Sequence, residues 1–222
     1  MKPIDAEVDG GGAARYERGT EEFARFCNFS DAVFAIAMTL LVLQVAIPIG
    51  TDQAQLRDKV AELRPQMISF AISFVVIGYY WIAHHRLVSH LRSLNGTFLW
   101  LNVIYLGIVA FFPFPTSLMG EFASEPLSLV LYASTAAVLS GMEVVLVLIA
   151  HRGGLMRKHW PPEILRYNVI ASTVPVVVFL ASIAVAYLTS SNLFGGLTWL
   201  LSIPGEALVD RVFKPDDAAE YA

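Results

Sequence analysis

Long apolar runs separated by short polar breaks dominate this sequence, and the lengths of the runs set the first expectation. A helix needs about twenty mostly apolar residues to cross a bilayer. Six stretches qualify: 26–47, 65–83, 97–119, 127–150, 167–189 and 192–209, the last interrupted by Pro204, Gly205 and Glu206. The pattern predicts an all-α, polytopic membrane protein with six transmembrane helices. It divides into a flexible cytoplasmic tail over 1–20, one membrane domain over 21–209 and a second cytoplasmic tail over 210–222. Loops this short leave no room for a soluble catalytic domain, and the only partner the pattern requires is a lipid bilayer.

Charge placement gives the orientation. Arg57, Lys59 and Arg64 follow the first stretch, whereas the other Lys and Arg, from Lys2 to Lys214, fall on the opposite side if all six stretches cross. Lys and Arg concentrate on the cytoplasmic side of membrane proteins, so both termini are expected in the cytoplasm, with the cell membrane as the location. Composition agrees, at 56% hydrophobic and 15% charged residues. The net charge of −4 and the lack of a basic face exclude nucleic acid as a partner. A single cysteine, Cys27, makes neither an internal disulfide nor a metal cluster.

The first stretch holds the least expected residues. Arg25, Ser30 and Asp31 stand at its start and Thr39 at its middle. On a helix, Phe29, Ala32, Ile36, Leu40, Leu43 and Ile47 share one stripe, with Thr39 at its edge and Asp31 pointing elsewhere. Such a stripe packs against protein or lipid in most membrane helices, and Thr39 has the option of bonding the carbonyl four residues back. Asp31 is harder to place, since an ionisable group inside a span faces a partner or water. Arg25, His84, His85 and Asn102 are its candidate partners, with Glu143 a second carboxylate at similar depth. A structural polar network is the favoured reading over a proton relay, because pairing with Arg holds an aspartate ionised.

The residues also resemble a known family. Arg25, Phe29, Ser30 and Asp31 reproduce the R-x-x-x-F-S-D signature that opens the first helix of the transmembrane protein 175 potassium channels. The stretches "AVFAIAMTLLVL", "YYWIAHHRL" and "WLNVIYLGIVAFFPFPTSLM" are similar to its prokaryotic members. The resemblance is strong over the first three spans and extends to the last three by topology and length. It implies a potassium-preferring cation channel of non-TVGYG type, with the first helix lining the pore. One signature per chain implies a homotetramer. Ile36, Leu40 and Leu43 then form a hydrophobic constriction that gates and filters, and Thr39 offers an oxygen beside it. Arg25, Ser30 and Asp31, with His84 and Asn102, form a structural polar network rather than an ion site. No cofactor or metal is implied, and K⁺ is the permeant ion. Gln44 stands where prokaryotic members often carry an acidic residue.

Two rivals follow from the residues. A proton-coupled secondary transporter would use Asp31 and Glu143, although no inverted repeat is visible. A membrane enzyme would need more than five histidines, of which only His84, His85 and His90 cluster. No nucleophile elbow or phosphate loop occurs, so an enzyme is not expected.

Overall fold

The computed structural model describes residues 15–47, 52–215 and 218. Within them the chain forms α1 (Glu21–Leu40), α2 (Leu56–Glu62), α3 (Arg64–Ser89), α4 (Gly96–Phe111), α5 (Pro113–Glu121), α6 (Pro126–Arg152), α7 (Pro162–Thr189), α8 (Asn192–Leu197) and α9 (Ser202–Phe213). Two short strands, β1 (Arg15–Glu17) and β2 (Ser93–Asn95), pair antiparallel with Arg15 opposite Asn95. Among the described residues five helical segments are long and apolar enough to cross a membrane: Glu21–Gln44, Arg64–Ser89, Gly96–Glu121, Pro126–Arg152 and Pro162–Thr189.

The sixth stretch differs from the expected single span. It is α8, a 3₁₀ turn (Thr198–Leu201) and α9 in succession, and none of these pieces reaches the length of a crossing. Pro204 is not the cause, since it lies in the first turn of α9, where its missing N–H has no ladder partner to lose. The helix tightens earlier, just after Gly195 and Gly196. Even so, the run returns antiparallel along α7. A Cβ on Gly195 would come within 2.8 Å of the Ala186 Cβ and the Ser182 carbonyl, and one on Gly205 within 2.8 Å of Val174. Further along, the Tyr167 hydroxyl donates to Asp210 at 2.7 Å. The run therefore covers most of the length of α7.

Local sequence explains how α1 begins and ends. Thr20 caps it by accepting from the Phe23 amide, and Glu21 and Glu22 occupy the first turn, where carboxylates suit the helix dipole. Helical φ and ψ tighten to a 3₁₀ turn over Leu41–Gln44, so α1 stops three residues short of Leu43. Its interior face buries Phe23, Phe26, Phe34, Ala37 and Leu41 against α3 and α4. Phe26 meets Phe98 of α4 at 6.0 Å between ring centres.

The tails are shorter than the apolar pattern implied. Of the expected N-terminal tail, 1–14 lies outside the described residues, but 15–17 form β1, and Arg18 donates to the carbonyls of Val88, Ser89 and Leu91 at the end of α3. The guanidinium adds donors where the α3 ladder runs out, although Val88 also accepts from the Leu91 amide. Of the expected C-terminal tail, 210–213 belong to α9, and 216–217 and 219–222 lie outside the described residues.

Candidate functional site: the two sides of the first helix

The buried side of α1 carries a polar seam. Ser30 donates to the Phe26 carbonyl at 3.0 Å and accepts from the Asn102 amide nitrogen at 3.2 Å. The Asn102 oxygen lies 2.7 Å from His84 Nε2, and because an amide oxygen only accepts, the ring proton sits on Nε2. Ser30, His84 and Asn102 are each at most 2% exposed. His84 stacks on Tyr105 of α4, with ring centres 5.4 Å apart and planes at 13°, and Phe34 of α1 packs against both rings, 5.6 Å from His84 and 6.1 Å from Tyr105. Three helices are thus joined through two interhelical hydrogen bonds in an otherwise apolar interior.

Two residues expected in this network are elsewhere. Arg25 pairs with Glu21, one turn earlier on its own helix, with both side chains about three-quarters exposed. Asp31 accepts from the Trp81 indole nitrogen at 2.9 Å on the outer side of α3. The structure therefore brings together Ser30, His84 and Asn102, and leaves Arg25 and Asp31 outside that group. The reason is angular: Asp31 follows Ser30 by about 100° of rotation, which carries it from the interior to the exposed side. His85 likewise turns outward, with its ring 5.6 Å from Trp81.

The exposed side of α1 holds the apolar stripe. Phe29, Ile36, Leu40 and Leu43 are all exposed in the single chain, Leu43 at 69%, and Ala32 and Thr39 are exposed with them. The Thr39 hydroxyl donates to the Ile36 carbonyl at 2.8 Å, three residues back rather than four, which leaves its oxygen lone pairs facing out. Leu43 belongs to the 3₁₀ turn and Ile47 lies beyond it, so the regular α-helical stripe ends at Leu40. Gln44 turns inward, its amide donating to the Pro113 carbonyl at the joint between α4 and α5. Pro113 begins α5, and no ladder bond crosses that joint from its nitrogen.

Composition distinguishes this exposed side from an ordinary lipid-facing one. Arg25, Asn28 and Thr39 are exposed on α1 alongside the stripe. Hydrocarbon does not solvate such groups, so a surface that presents them fits protein or water better than lipid. Glu143, a second carboxylate within the apolar stretches, lies on α6 and is 8% exposed. It lines a cavity that reaches Tyr79 of α3. Tyr79 and Trp81 are separated by about 200° around α3, so the surroundings of Glu143 and Asp31 are on different faces of that helix. Sequence reasoning did not find the Trp81 contact, and no signal in the sequence singles it out. Among the described residues no group of three His, Cys, Asp or Glu side chains is spaced to hold a metal ion.

Residues 25–113 match the family model described as the endosomal/lysosomal potassium channel TMEM175. A potassium channel of Streptomyces collinus is 35% identical over 104 residues, which are 47% of this chain and 50% of that protein. One of Chamaesiphon minutus is 34% identical over 133 residues, 59% of this chain and 64% of the other. The chain thus matches between half and two thirds of the length of these relatives. The crystal structure of a lysosomal potassium-selective channel TMEM175 homolog from Chamaesiphon minutus superposes with a TM-score of 0.67 at 26% identity, covering 86% of this chain and all of that one.

Proposed function

From the match of residues 25–113 to the TMEM175 channel model, we propose a potassium-preferring cation channel of that family, assembled as a homotetramer in the cell membrane. The observation that carries the proposal is the exposed side of α1, where an apolar stripe runs beside Thr39 and Arg25 on a helix whose other side is pinned by Ser30, Asn102 and His84. Four copies of α1 brought together by symmetry put that side at the axis. Ile36, Leu40 and Leu43 then form the constriction, and the seam holds each helix in register.

A ring of aliphatic side chains excludes water from a narrow pore, and an ion stripped of its shell there finds no replacement ligand. The closed state follows from that desolvation. A modest dilation or rotation of α1 restores a wetted path. K⁺ holds its hydration shell less tightly than Na⁺ and loses less on passage. The outward lone pairs of Thr39 supply oxygen beside the constriction. Both termini lie in the cytoplasm, which is supported by the sorting of Lys and Arg and by the return of α8 and α9 along α7 as a sixth crossing. The membrane domain is 21–209, and the flanking segments 1–20 and 210–222 are cytoplasmic.

The rival carrier built on Asp31 and Glu143 finds less support, because the two carboxylates face different sides of α3. Planar bilayers containing the reconstituted chain separate the two readings. Under bi-ionic K⁺/Na⁺ conditions the channel gives unitary current steps with a reversal potential favouring K⁺. Saturable proton-coupled flux in liposomes without unitary steps would replace the channel with a carrier.

A further inference from the structure

Away from α1, a cavity of about 640 Å³ opens among α3, α6, α7 and α9. Glu143 lines it, 8% exposed, and among the described residues its carboxylate makes no hydrogen bond or ion pair. That is an unusual state. A carboxylate in such surroundings is costly to keep without a donor or a counter-charge. Two further carboxylates border the same space, one turn apart on α9: Glu206 accepts from the Tyr79 hydroxyl at 2.6 Å and Asp210 from the Tyr167 hydroxyl at 2.7 Å. Those two are partnered, and Glu143 is the acceptor that remains open.

We propose that this cavity binds a small organic molecule bearing one primary ammonium group on an apolar or aromatic body, with Glu143 as its counter-charge. A metal ion suits the space less well. The described side chains do not converge in a set able to hold one, and the volume falls within the range of small-molecule pockets. Tyr79, Tyr167 and Trp160 put aromatic side chains in the walls, the residue type that attracts a cation, while Val147 and Pro175 offer apolar surface to its body. Arg86, His90 and Lys214 also line the cavity, toward the end where α3 finishes and α9 has just ended. Arg86 is about two turns from Tyr79 along α3, and Lys214 about two turns from Glu206 along α9. Positive charge at that end and negative charge within disfavour a polycation and favour a single ammonium carried past the mouth.

Isothermal titration of the full chain in lipid nanodiscs tests this with phenethylammonium chloride and its neutral match, 2-phenylethanol. One ammonium should bind saturably per chain, at least tenfold more tightly than the alcohol. Glu143→Gln should reduce the ammonium to the alcohol's affinity while leaving the alcohol unchanged, and Glu206→Gln should weaken the ammonium at least threefold. Ile36→Asn, on the exposed side of α1, should change neither. The Glu143 carboxylate holds no other side chain, so the Gln variant should melt with the wild type, and Glu206→Gln decides the matter if it does not. Equal affinity for ammonium and alcohol, absence of saturable binding, retention of the preference in either Gln variant, or its loss in Ile36→Asn would each overturn the assignment.

Discussion

His84 depends on Asn102 more than the strength of one hydrogen bond suggests. Interhelical hydrogen bonds in membranes average about 0.6 kcal/mol, whereas a buried donor left without an acceptor costs about 1–3 kcal/mol. Asn102→Leu keeps the volume and removes the acceptor, so it should destabilise the chain by about 1–3 kcal/mol. Thermal melting of the purified protein checks the loss. Thr39→Val is expected to do the opposite: the hydroxyl is exposed and its own bond is local, so the fold should keep its melting temperature while K⁺ conductance falls. Ser30, His84 and Asn102 were legible in the sequence because polar residues within apolar stretches need partners. The placement of Arg25 and Asp31 was not. Each found a partner that the apolar pattern does not mark, a glutamate one turn back for Arg25 and an indole nitrogen on α3 for Asp31.

The helices show where periodicity carries and where it stops. The stripe from Phe29 to Leu40 was readable because α1 is regular there, with Phe23, Phe26, Phe34 and Ala37 buried on the opposite side. Beyond Leu40 the chain tightens to 3₁₀, and a wheel drawn at α-helical spacing no longer places Leu43 or Ile47. In the sixth stretch the sequence marks the break in the helix at the wrong place. Pro204 and Gly205 look like an interruption, yet proline is tolerated in a first turn, and Gly205 is needed for the close approach to Val174. Gly195 approaches α7 equally closely, and one of its neighbours there is a backbone carbonyl. Gly195→Leu should force α8 away from Ser182 and Ala186, at a cost of about 1–3 kcal/mol of overpacking. Lower melting temperature with increased proteolysis between α7 and α9 is the expected reading.

For the molecule as a whole, one side of one helix is incompletely covered. The single chain leaves Phe29, Ile36, Leu40 and Leu43 exposed beside Arg25 and Thr39, a mixture that neither lipid nor an apolar core accommodates. The proposed symmetric assembly around α1 would cover it, so native mass spectrometry of the detergent-solubilised protein should give four chains, and a stable monomer would remove the axis on which the proposed pore depends. The central claim is that Ile36 faces the ion path. Reversal potentials under bi-ionic K⁺/Na⁺ conditions, for wild type, Ile36→Asn and Val75→Asn, test it most directly, since Val75 is an even more exposed apolar residue on α3. The account predicts that Ile36→Asn raises Na⁺ permeability relative to K⁺ while Val75→Asn leaves the ratio at the wild-type value. An unchanged ratio in Ile36→Asn would contradict it.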